Sequence, residues 1–373
     1  MNKIHKIQKL AAIGQSIWLD HIDREFIDSG ALQQLIDEGI SGLTSNPSIF
    51  QKAIAQGTAY AADIARFARA GKTVMEIYEA LVIDDIRRAA DAFVPVYTQS
   101  NGRDGWVSLE VDPNLADDTL QTIVAAKRLA AAVDRPNLMI KVPATAAGIP
   151  AIRALISAGL NINVTLIFGL EVYRQVIEAY LQGMEERPDE KLDKTASVAS
   201  FFVSRVDSAI DKQLETREIT DLQGKIAIAN CKLAYQEFLR FFSGDRWEKL
   251  ARRGARVQRL LWASTSTKNP HYSQTLYIDP LIGSDTINTL PLPTYEIFKN
   301  TGKTEPTITE GLEEAWAEIS ALRSAGINLH RITDELLSQG VKLFSDAFAE
   351  LLNSIGRECA RPGKNQSQSK TQR

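Results

Sequence analysis

Lys141 interrupts the apolar run Leu138-Met139-Ile140-Lys141-Val142-Pro143. A short run of straight and β-branched apolar residues closed by proline predicts a buried strand. Lysine is among the residues least often found fully inside, because an unpaired ammonium group loses its hydration there. Desolvation pushes the pKa of an amine down and frees it to attack a carbonyl carbon as a Schiff-base nucleophile. Snorkelling to water or pairing with a carboxylate is the ordinary alternative. Other polar residues break neighbouring apolar runs near their C-terminal ends. Asp20 follows Ile17-Trp18-Leu19, Asn46 follows Gly42-Leu43-Thr44-Ser45, and Glu110 follows Ser108-Leu109, with Asp112 just beyond. Asn163 and Thr165 alternate in a fifth run, and Ser200 leads through Phe201-Phe202-Val203-Ser204 to Arg205. A later run passes through Ser264 and Thr265 to Lys268. On one cup these side chains would supply an amine, two carboxylates, two amides, hydroxyls and two cations. That set suits a phosphorylated polyhydroxy carbonyl compound.

Such residues need a scaffold that brings many strand ends together. Apolar runs at 16–20, 42–46, 106–111, 138–142, 162–168, 197–203, 259–263 and 286–290 alternate with amphipathic helical segments. Eight strands separated by helices predict an α/β fold with a parallel sheet, closed as a (β/α)8 TIM barrel. Period-two spacing puts Asn163 and Thr165 on one face of their strand, and barrel chemistry gathers at C-terminal strand ends. Long helical segments at 73–93 and 225–242 are additional to a minimal barrel. Leu337, Val341, Phe344, Phe348, Leu351 and Ile355 form one apolar stripe on a long C-terminal helix. Pro291 and Pro293 predict a loop after the last strand, continued by the Gly/Lys/Thr-rich stretch 299–309. The barrel is expected to occupy 1–357, and the Lys/Gln/Ser-rich 358–373 to be a disordered tail. No glycine-rich phosphate loop follows the first strand, which disfavours an open doubly wound sheet.

The 373 residues carry a net charge of −3, so no global field favours nucleic acid or an anionic membrane. No stretch approaches the roughly 18 apolar residues of a membrane span. The N-terminus lacks the apolar core of a secretion signal. Two cysteines, Cys231 and Cys359, fit a reducing compartment, and the expected location is the cytoplasm. His5, His21, His271 and His330 form no HxxxH or HxH pair, so no metal is expected. Asp20-His21-Ile22-Asp23 is the one acid–histidine cluster, and its spacing is poor for a metal. No GxSxG elbow is present for a serine hydrolase.

The segments Gly42-Leu43-Thr44-Ser45-Asn46-Pro47-Ser48 and Ile140-Lys141-Val142-Pro143-Ala144-Thr145 resemble the two signatures of the transaldolases. With Trp18-Leu19-Asp20 they identify the chain as similar to the longer bacterial members of that family over nearly its whole length. The resemblance implies a cofactor-free enzyme that moves a dihydroxyacetone unit between sugar phosphates in the non-oxidative pentose phosphate pathway. It implies Lys141 as the Schiff-base nucleophile and Asp20 as the acid–base group at the C4 hydroxyl. Glu110, Thr165 and a water would shuttle protons. Asn46, Asn163 and Ser200 would hold the three-carbon unit, and Arg205 with Lys268 the phosphate. Many members carry arginine near the place of Lys268, in a stretch (263–269) that is lengthened in this chain; the alternatives to Lys268 alone are a share for Ser264, or Arg259 in its stead. Two rivals stand beside transfer: a fructose-6-phosphate aldolase-like enzyme, and a barrel that binds sugar phosphates without turning them over. The expected assembly is a monomer or homodimer.

Several positions have ordinary structural readings. Asp20 suits a helix N-cap, Asn46 before Pro47 a turn, and Thr165 any strand. Glu110 and Asp112 could be ordinary barrel-end carboxylates. Arg205 could pair with Asp207 or Asp211, and Ser204 looks like a surface or helix-cap position.

Overall fold

A computed structural model describes residues 6–360 apart from Asp189. Its eight strands are β1 (Gln15–Leu19), β2 (Gly42–Thr44), β3 (Trp106–Glu110), β4 (Leu138–Pro143), β5 (Ile162–Ile167), β6 (Ser197–Phe202), β7 (Arg259–Ala263) and β8 (Thr286–Leu290). They pair in parallel, in chain order, and β8 closes on β1. Every strand residue is buried, because interior side chains meet across the barrel and exterior ones meet the helices. All eight predicted strands are present, with ends that differ by no more than two residues.

Cross-strand register decides which polar residues meet. Glu110 pairs with Lys141, and Lys141 with Asn163, so three neighbouring strands carry three functional groups in one row. β5 is irregular between Val164 and Ile167, where Leu166 has φ +60°. A left-handed leucine costs roughly 1–2 kcal/mol locally. The bulge it creates bends the strand end that follows Thr165.

The helix Val74–Gln99 begins with a capping box between Thr73 and Glu76. The C-terminal helix, Leu329–Cys359, lies against the helix Pro47–Gln56 and reaches β5. Gly340 permits this approach: a Cβ there would come within 2.9 Å of Leu166. Phe344, Phe348, Leu351 and Ile355 are buried, whereas Leu337 and Val341 are only half-buried. The helix runs through Cys359, two residues past the expected barrel boundary. Residues 361–373, the rest of the expected tail, lie outside the described residues. Among the described residues no helix is long and apolar enough to cross a membrane.

The loop predicted after β8 is instead the helix Leu292–Thr301, capped by Pro291 and with Pro293 in its first turn. Proline is a helix breaker only in the interior; in the first turn its missing N–H would have had no partner, and its φ suits the helix. Arg259 also departs from expectation. It sits at the N-terminal end of β7, bonding Ser16 Oγ at 2.6 Å and Asp104 at 3.1 Å. It seals the barrel floor, at the far end from the strand termini where a phosphate would bind.

Candidate active site

Lys141 is the fourth residue of β4, and its side chain is only 6% exposed. Its Nζ donates to the carbonyl of Ser45 at 3.0 Å and lies 3.4 Å from Glu110 Oε2. At 3.4 Å the carboxylate is an ion contact rather than a tight hydrogen bond, which leaves the amine loosely held on that side. The Phe344 ring of the C-terminal helix lies 6.0 Å away and gives the site an apolar cover. A buried amine among a carbonyl, a carboxylate and an aromatic face can bond covalently without competition from bulk water.

Asp20 follows β1, its N–H bonded to Leu290 O at 2.8 Å. It does not cap a helix; Asp23 holds that position for Arg24–Asp28. Its Oδ1 accepts from Thr44 Oγ1 at 2.7 Å, and Thr44 lies 2.8 Å from Thr289 Oγ1. Asp20 keeps partial contact with solvent at the barrel mouth but is otherwise enclosed by protein. That enclosure raises its carboxyl above the ordinary range, against the opposing pull of Lys141 and the Thr44 hydroxyl. Burial likewise raises Glu110, countered by Lys141 and reinforced by the Asp20 charge. Two such carboxyl groups beside one amine can exchange protons nearer neutrality than solvated ones. Asp112, by contrast, caps the turn Pro113–Leu115 and accepts from Asn114.

Asn163 is fully buried. Its amide nitrogen donates to Ser108 Oγ at 3.0 Å, and its carbonyl accepts from Ser200 Oγ at 2.7 Å. The two hydroxyls fix the amide plane and leave one N–H of Asn163 for a ligand. Thr165 Oγ1 is buried without a hydrogen-bond partner in the described structure. Asn46 has a structural task as well, because its Oδ1 caps the helix Pro47–Gln56 by accepting from Ile49 N at 3.0 Å. Its amide nitrogen stays available.

Arg205 is half-buried in the first turn of the helix Ser204–Glu215, with its guanidinium 5.7 Å from the Phe202 ring. Burial alone pushes it down from its ordinary value, and among the described residues no carboxylate pairs with it. The expected alternatives, Asp207 and Asp211, are occupied by Tyr277, Tyr272 and backbone N–H groups. Lys268 donates to Ser266 Oγ at 3.0 Å. Although its side chain is exposed, partial desolvation by the surrounding protein pushes its ammonium down, and so do the positive charges of Arg205 and Lys52. Unpaired, mutually repelling cations at one rim are a place for an anion. Ser204 is neither a surface residue nor the N-cap: it is buried, with its hydroxyl 3.1 Å from Ser264 Oγ.

Thr44, Ser108 and Lys52 were not assigned to the site from the sequence, and Phe344 was marked there only as part of the apolar stripe of the last helix. Ser108 was accessible in principle, since it stands two residues before Glu110 on the same strand face, and Thr44 as the polar residue that closes β2. Lys52 carries no such mark and Phe344 only that of its stripe, because each reaches the site only through the packing of a helix.

A closed parallel barrel centred on a buried lysine with two carboxyl groups defines the class as a lysine-centred (β/α)8 barrel. Within that class the chain belongs to the transaldolase/fructose-6-phosphate aldolase family, whose family model matches residues 17–355. A protein of Trichodesmium erythraeum named transaldolase is 45% identical over 359 residues, covering 92% of this chain and 94% of the relative. Transaldolase 1 of Streptomyces avermitilis is 46% identical over 361 residues, covering 95% and 96%. The transaldolase of Thiobacillus denitrificans is 45% identical over 353 residues, covering 93% and 98%.

Proposed function

We propose that the chain is a transaldolase, moving a dihydroxyacetone unit from sedoheptulose 7-phosphate or fructose 6-phosphate to glyceraldehyde 3-phosphate or erythrose 4-phosphate. The observation that carries this reading is Lys141 held in an apolar strand with Glu110 3.4 Å from its Nζ and Asp20 close enough to feel its charge. The family and the transaldolase relatives support it. Nζ attacks the ketone carbon once its proton has passed to Glu110. Glu110 then protonates the carbinolamine hydroxyl, with Thr165 and a water as relay, and water leaves. In the resulting iminium the nitrogen draws electrons from the adjoining bonds. Asp20 takes the C4 hydroxyl proton, the C3–C4 bond breaks, and its electron pair moves to the iminium to form an enamine. Asn46, Asn163 and Ser200 hold the hydroxyls of the retained fragment. The acceptor aldehyde reverses these steps, with Asp20 returning the proton.

Arg205 and Lys268 bind the phosphate in this reading. Arg205→Ala should raise KM for fructose 6-phosphate by roughly 10- to 100-fold, as expected for loss of a charge-assisted contact of about 1.5–3 kcal/mol. Its kcat should change much less. Lys268→Ala should have a smaller effect, since a lysine holds phosphate without arginine's fork. Steady-state kinetics of the two variants separate these outcomes. We place the enzyme in the non-oxidative pentose phosphate pathway and, with its metabolite substrates, in the cytoplasm.

Transfer is distinguished from simple aldol cleavage by the fate of the enamine. With fructose 6-phosphate alone, release of glyceraldehyde 3-phosphate should be slow after one equivalent per site. Addition of erythrose 4-phosphate should start rapid turnover. Rapid free dihydroxyacetone without an acceptor would make the protein an aldolase instead.

A further inference from the structure

The segment after β7 that carries Lys268 is tied to the helix Ser204–Glu215, which carries Arg205, at three points. At its start, Ser204 N donates to Ser264 O at 3.0 Å and the two hydroxyls lie 3.1 Å apart. Ser264 takes φ +56°, a left-handed turn that directs the chain away from the strand. Beyond Lys268, Tyr272 OH donates to Asp211 Oδ2 at 2.7 Å, and Tyr277 OH donates to Asp207 Oδ2 at 3.0 Å. Asp207 and Asp211 stand one helical turn apart and repeat one arrangement. The second oxygen of each accepts a backbone N–H from the segment entering the next helix, Ala227 N at 2.7 Å and Gly224 N at 3.1 Å.

These carboxylates are costly to bury without donors. Burial and the neighbouring Asp211 charge push Asp207 up to about 7, against the pull of its Ala227 and Tyr277 donors. Gly224 fits the Tyr272 ring closely, since its φ is +70° and an added Cβ would lie 2.9 Å from Tyr272 Cζ. Neither tyrosine nor either aspartate takes part in the mechanism described above.

We infer that the tyrosine–aspartate pairs Tyr272–Asp211 and Tyr277–Asp207 are positioning elements that set the spacing between Lys268 and Arg205, and hence the affinity for the substrate phosphate. The inference rests on the reading of those two cations as the phosphate site. Lys268 lies on an exposed stretch, and its own bond is local, to Ser266 two residues away. The ties on either side therefore supply the long-range constraint on where its ammonium sits. Loss of one tie lets that stretch move and weakens binding, while Lys141, Asp20 and Glu110, held by other strands, keep their arrangement.

Tyr272→Phe removes one hydroxyl from a half-buried ring and is the primary test in the full-length enzyme; Gly224→Ala displaces the same ring. Both should raise KM for fructose 6-phosphate and the inhibition constant of inorganic phosphate by about 3- to 10-fold, the loss of one hydrogen bond's positioning effect. The kcat of the folded enzyme should stay within about twofold. Thermal midpoints of each variant give the folded fraction. Arg205→Ala is measured in parallel. If it raises both constants and Tyr272→Phe moves neither, or lowers only kcat, the ties are structural and the inference is wrong. If phosphate inhibition is untouched in Arg205→Ala, the phosphate assignment itself fails and takes this inference with it.

Discussion

Lys141→Ala is expected to lower transfer activity by more than about 10⁴-fold, the scale of losing the nucleophile that forms the covalent intermediate. No other side chain can take over, because the amine must reach the ketone carbon from the barrel interior while Glu110 exchanges its protons. Borohydride added with fructose 6-phosphate should reduce the iminium and leave the mass of the reduced three-carbon unit on the peptide containing Lys141 in the wild type only. Label on another lysine, or substantial residual turnover in the variant, would refute the assignment. The substitution also leaves Glu110 buried without its cation. Removing one partner of a buried pair is destabilising, although a carboxyl already raised by burial can relieve the cost by taking up a proton. Thermal melts therefore accompany the assay, and activity is compared at a temperature where both proteins are folded.

Asp20→Asn should separate iminium formation from carbon–carbon cleavage. The variant should still be trapped by borohydride on Lys141, while cleavage falls by roughly 10²–10⁴-fold, the range for loss of a general acid–base group. Failure to trap any adduct would make Asp20 a binding or structural residue. The wild-type pH profile bears on the same residue. Burial raises the Asp20 carboxyl, and the base must be ionised to accept the C4 proton. Activity should therefore fall on acidification with a midpoint above the ordinary carboxylate range of about 4, and this limb should be missing from the residual activity of Asp20→Asn. The shift also carries a stability sign. The folded carboxyl binds its proton more tightly than the unfolded one, so its favourable contribution is complete below the unfolded pKa and is lost as pH rises through the folded pKa. At neutral pH Asp20→Asn should consequently melt higher than the wild type, a gain in stability accompanying a loss of catalysis.

The barrel was legible because its determinants are local. Eight short apolar runs, each closed by polar or turn residues, mark strands by composition and length alone, and a lysine inside one of them marks itself by its cost. The same local logic misread Pro291 and Pro293, whose effect depends on whether they fall in a helix's first turn or its interior. It also left Arg205 with two plausible partners, since Asp207 and Asp211 are near in sequence. The fold turns both aspartates toward Tyr277 and Tyr272 and leaves the guanidinium facing the rim. The chain by itself therefore determined the strand set, the placing of Asp20 and Glu110 at strand ends and of Lys141, Asn163 and Ser200 within strands, and the apolar stripe of the last helix. Only the tertiary structure decided that Glu110 stands beside Lys141, that Thr44 grips Asp20 across 24 residues, and that Phe344 covers the amine. Periodicity reports which side of an element is buried. It does not report what lies opposite, because cross-strand register and helix docking are set by closing the barrel and packing its surroundings all at once.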